Sequence, residues 1–407
     1  MRILNPWRDL GALPREAWLL FWTNLVNRAG LMVLPFLILY LTTERGLSAA
    51  RAGIVLSAYG LTSIAGAPLA GRLSDRIGSL PVMRVSLAMT GVLLFAYPYA
   101  KTFPQLIAVT VLWSLMDVSF RPASLKLMTE SVEPAHRKSA FALVRLAINL
   151  GMSIGPALGG FLAAVSFRAI FVVDAITSIA AAGILFFFRT RASPADAPIG
   201  NDANADPGRT KSLMTNSPFI LLLIGMFLIS VVFFQHEGAL PLFLVQSLGQ
   251  STAFYGILFT INTVIIVALE IPLNSATAHW PHSRSMGLGS ALITVGFGAL
   301  AFATTPSLVV VTVLFWTFGE MLLFPSLSAY LGDIAPAASR GVYMGAYTTS
   351  TQLGFALGTS FGAYLFARAG IPTVWIVMLV IGTIGTIVLV YSARGHKHHA
   401  AEVELSP

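Results

Sequence analysis

The stretch from Leu112 to Phe161 occurs twice, returning in decayed form from Phe315 to Tyr364. An offset of 203 takes Trp113 to Trp316, Asp117 to Glu320, Pro122 to Pro325, Arg137 to Arg340, Gly151 to Gly354, Gly155 to Gly358 and Gly159 to Gly362. Trp, Pro and Arg are too uncommon in apolar segments for such an ordered series to arise from shared composition, so the chain is an internal duplication. Gly53 and Gly256 keep the same offset, while Pro68 and Pro272 fall at 204 and Pro35 and Pro241 at 206, which extends the repeat over nearly all of each half. A period of half of 407 residues is far longer than the units of a solenoid. It calls for two similar bodies side by side, an arrangement found in membrane proteins built from parallel repeats.

Composition assigns the environment of those bodies. Only 10% of the residues are charged, against about 25% in soluble domains, and 56% are hydrophobic, with a mean hydropathy of +0.78. Apolar runs recur at 16–41, 51–73, 81–100, 105–128, 139–166, 168–188, 217–245, 252–278, 284–303, 306–332, 341–367 and 371–392. About 20 residues cross a bilayer core, so the expected fold class is all-α integral membrane, with twelve transmembrane helices in two pseudo-symmetric six-helix bundles. The expected domains are a bundle at 1–190, a polar Ala/Asp/Pro/Asn/Gly-rich linker at 191–216, a second bundle at 217–393 and a tail at 394–407.

The formal net charge of +8 could suggest nucleic acid, but the basic residues lie between the helices and read as membrane topology instead. With the N-terminus inside, Arg45, Arg51, Lys101, Arg168 and Arg368 fall outside, Arg28 falls within the membrane and the remaining Lys and Arg face the cytoplasm. This predicts a multi-pass protein of the plasma membrane, the inner membrane of a bacterium, with both termini cytoplasmic. No cysteine is present, which removes thiolate metal sites and cysteine nucleophiles. The sequence carries no His-Glu-x-x-His, no paired metal ligands and no outer ligand-binding domain, so neither an enzyme nor a receptor is expected, and no cofactor.

Two motifs stand out. Residues 71 to 78, GRLSDRIG, close the second helix, with Gly78 suited to the position past a helix end and Asp75 and Arg76 offering a charge pair at the membrane surface. Ala147, Gly151, Gly155, Gly159 and Ala163 recur every four residues and form a stripe of small side chains on the fifth helix, which lets another backbone approach closely. In a duplicated twelve-helix chain, GRLSDRIG resembles the signature loop of the major facilitator superfamily, and GMSIGPALGG, with Gly151, Gly155, Pro156, Gly159 and Gly160, resembles the antiporter motif of its exporters. The resemblance implies a gating latch at Gly71, Asp75, Arg76 and Gly78. It departs at Ser79 and Leu80, where the family has basic residues and where Arg84 is the nearest substitute.

Ionisable residues inside the membrane carry the functional expectation, since a charge at a helix centre costs about 2.5–3.5 kcal/mol on insertion scales. Arg28, Asp117, its repeat mate Glu320, Glu237 and Glu270 are the candidate proton-coupling and substrate-cavity residues. Arg28 is a plausible partner for Asp117, whereas Glu237 lies next to Gly238 and Pro241, where the seventh helix is expected to break. Asp174 reads as structural. The family resemblance then implies a secondary transporter working by alternating access, a proton-coupled antiporter exporting small amphipathic molecules, acting as a monomer with small-molecule substrate, protons and the lipid bilayer as partners and no nucleic acid. A proton-coupled peptide importer, suggested by FWTNLVNRAGLMVLPFLILYLT with Asn24 and Asn27 in place of that family's glutamates, and a lipid flippase stay open.

Overall fold

The computed structural model describes residues 13–133, 136–187, 217–335 and 340–404. The expected linker at 191–216 lies outside these residues. Twelve helical segments account for the described chain: α1 (Arg15–Thr43), α2 (Ala49–Ile77), α3 (Ser79–Tyr99), α4 (Phe103–Ser131), α5 (Arg137–Val165), α6 (Phe167–Phe187), α7 (Ser217–Ser247), α8 (Thr252–Thr277), α9 (His282–Phe302), α10 (Pro306–Ile334), α11 (Arg340–Ala369) and α12 (Ile371–Glu404). No strand occurs among the described residues. Eleven of the helices are long and apolar enough to cross a membrane. The remaining one, α11, is 30 residues long but carries Thr348, Thr349, Ser350, Thr351, Gln352, Thr359 and Ser360, which dilute its hydropathy.

The duplication reaches down to the helix caps. Thr102 opens α4 by accepting the Gln105 N–H at 3.4 Å, and Thr305, 203 positions on, opens α10 by accepting the Leu308 N–H at 3.4 Å. Each is followed by a proline in the first turn, where the missing N–H costs nothing. Pro68, Pro122, Pro156, Pro272 and Pro325 instead lie inside their helices.

The chain forms two compact units. The first comprises the described residues of Met1–Gly46, Ala58–Asp196 and Ser251–Thr263, and the second those of Leu47–Ser57, Ala197–Gln250 and Val264–Pro407. In the first unit α1 packs on α5 and α6, and α3 packs on α4 and α6. The second repeats this plan, α7 on α11 and α12, and α9 on α10 and α12.

Each unit also takes the start of one helix from the opposite half of the sequence. In the second unit, Gly53 of α2 lies so close to α11 that a Cβ on it would stand 2.9 Å from Ser360 Cα, and the Ser57 hydroxyl donates to the Ala356 carbonyl. In the first, Gly256 of α8 faces Gly160 of α5, where a Cβ on Gly160 would stand 2.8 Å from Gly256 Cα, and Thr252 Oγ1 donates to the Gly160 carbonyl at 3.1 Å. The two glycines paired by the duplication thus do the same job, each letting a helix start approach another backbone.

Candidate functional site

Both halves begin with an interrupted helix. In α1 the first part ends at Ala29 and the second starts at Val33, with Gly30–Met32 non-helical between them. In α7 the helix tightens to a 3₁₀ turn at Phe234–His236 and resumes at Ala239 after Glu237 and Gly238. Pro35 and Pro241, the prolines paired at an offset of 206, occupy the first turn of the resumed helices, where they tolerate the break without losing a hydrogen bond. The expected interruption of α7 is present; that of α1 is an addition to the sequence reading.

A broken helix exposes backbone N–H groups that bilayer interiors cannot satisfy. The two halves solve this with different side chains. At the α1 break, Asp174 Oδ2 on α6 accepts the N–H groups of Met32 and Val33, both at 3.1 Å. At the α7 break, Gln235 bridges its own segment and α11, its Oε1 accepting from the Ala239 N–H at 3.3 Å and its Nε2 donating to the carbonyls of Val231 and, on α11, Gly358 at 2.8 Å each.

The glycine stripe holds the other side of each break. A Cβ on Gly151 would meet Arg28 Cβ at 2.5 Å, one on Gly155 would meet the Arg28 carbonyl at 2.9 Å and the Leu31 carbonyl at 3.0 Å, and one on Gly159 would meet Met32 Cβ at 3.1 Å. In the second unit, Gly354 and Gly358 admit Ser230 and Val231 in the same way, and Gly362 admits the Gln235 side chain. Pro156 sits inside α5 between these contacts. The small stripe is therefore a seat for the broken first helix.

Arg28 is the last basic residue before the α1 break. Its Nε is buried with no hydrogen-bond partner. The expected Arg28–Asp117 pair does not form: Asp117 Oδ2 accepts from the Tyr59 hydroxyl at 2.7 Å, and no ion pair joins the two residues among those described. Tyr59 is itself fixed, its carbonyl accepting from Ser114 Oγ at 2.7 Å and its ring 4.9 Å from that of Trp113. Asp117 and Arg28 nonetheless both act electrostatically on Asp174.

The second unit brings Glu237 and Glu320 towards one imidazole. His236 Nε2 lies 3.6 Å from Glu237 Oε1, and its Nδ1 is 2.7 Å from the Phe233 carbonyl. Glu320 acts on the same ring electrostatically. The rings of His236 and Trp316 lie 6.2 Å apart and nearly parallel, with Phe233 edge-on to Trp316 and Phe234 stacked on His236. Glu237 Oε2 is buried and has no hydrogen-bond partner. Such an oxygen is satisfied by a proton, or by a water or ligand that donates to it. Glu270 lies on α8, four residues before Asn274, whose amide donates to the Glu270 carbonyl at 2.9 Å. Trp113, Tyr255 and Trp316 are buried packing residues, while Trp22 is exposed.

Residues 71–77 of the expected gating loop are the last turns of α2, and only Gly78, with φ +89°, a conformation that favours glycine, stands between helices; Gly71 has open space around it. Asp75 pairs with Lys126 of α4, Oδ1 to Nζ 2.5 Å, rather than with Arg76. Lys126 also donates to the Ser74 carbonyl at 3.1 Å and lies 3.7 Å from Glu130. It supplies the basic partner that Ser79 and Leu80 lack, and no local sequence signal points to it. Arg84 does not take that role, since its Nη2 donates to the Leu185 carbonyl at 2.8 Å and its guanidinium covers Phe186. The offset of 203 returns here as well. Ser79 Oγ donates to Glu130 at 3.2 Å, and the corresponding His282 Nε2 lies 3.0 Å from Asp333, both pairs being 51 positions apart.

Duplicated six-helix halves, each opening on a broken helix with buried charge at the break, define a multi-pass membrane transporter. The family model of the Major Facilitator Superfamily matches residues 20–249 and 237–405, and the chain belongs to that superfamily. It is 27% identical over 361 residues to the uncharacterised MFS-type transporter YqjV of Bacillus subtilis, covering 87% of this chain and 86% of that protein. It is 26% identical to the multidrug resistance protein MdtH of Aeromonas salmonicida, covering 88% and 89%. Among solved structures, that of the nucleoside transporter NupG superimposes with a TM-score of 0.76 at 14% identity, covering 93% of this chain and 99% of that one, a likeness of fold.

Proposed function

We propose that this transporter is a proton-driven antiporter exporting small amphipathic molecules, cationic ones foremost, by alternating access across the plasma membrane, as a monomer with both termini in the cytoplasm. The carrying observation is the Glu237 carboxylate, whose Oε2 is buried without a donor and whose Oε1 lies 3.6 Å from His236, itself in ring contact with Phe233, Phe234 and Trp316. Aromatic faces attract a cation by about 0.5–2 kcal/mol and tolerate varied shapes, while a single carboxylate holds either a proton or a cation. Competition for one group is the simplest basis of exchange. The relative named as a multidrug resistance protein supports the same reading.

In this scheme Glu320 biases His236, and Asp117 acts through Tyr59 in the first half. Glu270 has a minor part. The six-helix halves at 1–190 and 217–393 rock as bodies joined by the 191–216 linker.

Transport of a fluorescent lipophilic cation by proteoliposomes under an imposed pH gradient tests the reading. Glu237→Gln should abolish the response to the gradient but keep substrate counterflow, which needs exchange alone. Normal concentration of substrate by that variant moves the proton site to another carboxylate.

A further inference from the structure

The two helix breaks are equivalent by sequence repeat and by position in their units, yet one is closed by a group that can take a proton and the other by a group that cannot. Asp174 is 2% exposed and Gln235 is fully buried. Both Asp174 bonds are made by Oδ2, and Oδ1 carries no hydrogen bond from a described residue, which leaves it open to a proton. The break that Asp174 closes begins two residues after Arg28 and is pressed on its other side by Gly151 and Gly155, with no side chain there to absorb a shift. Gly30 is equally confined, since a Cβ on it would overlap Thr177 Oγ1 of α6.

We propose that Asp174 is a proton-responsive positioning residue whose charge sets how firmly the α1 break is closed, and through it where Arg28 stands, whereas the bonds with which Gln235 closes the α7 break carry no titrating group. When a proton from water binds Oδ1, the carboxylate becomes a carboxylic acid and two charge-assisted bonds become neutral ones, about half as strong. The Met32 and Val33 amides are then held less tightly, and the residues following Arg28 gain freedom. The charged and titratable groups around Asp174 are few. Arg28 on α1 and Asp117 on α4 act on it electrostatically. On α3, Arg84 is held at the Leu185 carbonyl, Tyr97 donates to or accepts from Thr110, and neither bonds Asp174. On α5, Arg145 is exposed. Gln235 has no proton to gain or lose, so at the α7 break the closing bonds carry no titrating group, and Glu237 and His236 beside them take no part in those bonds.

The role rests on the proton-coupled reading, but its test does not need transport. Hydrogen–deuterium exchange of the full-length protein in nanodiscs, corrected for intrinsic exchange, would compare the segments 31–36 and 238–243 at about pH 5 and about pH 8, a window into which burial brings the titration of a carboxyl group. The first segment should lose protection several-fold on acidification, and the second should change less. Asp174→Asn, which still accepts through its amide oxygen, should remove the pH response of the first segment, and Gln235→Glu should enlarge that of the second. Equal protection of 31–36 at both pH values in the wild type, or an unchanged pH response in Asp174→Asn, overturns the proposal. A merely structural Asp174 would instead lower protection in the variant at both pH values and leave the pH ratio as it was. Failure of the wild type to respond to a pH gradient in proteoliposomes would sink proton coupling while leaving the exchange result standing.

Discussion

Asp174 Oδ2 lies 3.1 Å from the backbone nitrogen of Val33, a residue 141 positions earlier in the chain. The contact makes α6 a structural part of the first helix, because the resumed half of α1 has no side-chain cap of its own. The glycines of the antiporter-like motif complete the enclosure from α5. What reads in sequence as a packing stripe and an isolated buried acid is, in the folded chain, one device around Gly30–Met32.

That enclosure makes Gly155 sensitive to a single methyl group. The atoms in the way are the backbone carbonyls of Arg28 and Leu31, which cannot rotate aside as a side chain would. Gly155→Ala should destabilise the protein by about 1–3 kcal/mol, the usual cost of overpacking, and should lower transport. Thermal unfolding of the purified protein and vesicle uptake measure the two effects.

Gln235→Leu should leave the Ala239 N–H and the Gly358 carbonyl without partners in a buried site. Each such orphan costs about 1–3 kcal/mol, so the apparent Tm should fall clearly. Because no titrating group is lost, the fall should be the same at mildly acidic and neutral pH, which paired melting curves would check.

Asp75 and Lys126 form an ion pair with side chains 37% and 30% exposed. Pairs this accessible contribute about 0–1 kcal/mol. Asp75→Asn and Lys126→Gln should therefore barely change the melting temperature. Transport should drop strongly in each, and the double variant should be no worse than either single one. Additive losses in initial rate would show that the two residues act separately.

The proposed orientation predicts that a cysteine placed at Asn201, in the expected linker, reacts only with reagents that reach the cytoplasm. The chain has no native cysteine to confuse the result. Labelling from outside alone would reverse the topology.

The duplication, the apolar runs and the scarcity of charge were enough to determine twelve helices in repeated halves, because helix number and length in a bilayer follow from composition and from the thickness to be crossed. The sequence also marked Glu237 beside Gly238 and Pro241 as a break, since glycine and proline act locally on the backbone. Other relationships were not legible because they join residues distant in sequence, and depth along a helix fixes only one of the three coordinates of a contact. Arg28 and Asp117 matched in depth, yet rotation about the helix axes gave Asp117 to Tyr59. Lys126 reached Asp75 across 51 positions while the neighbouring Arg76 did not. The α1 break itself has a glycine and a proline like its counterpart, but what holds it closed is a carboxylate from α6, and only packing of that helix against α1 decided that.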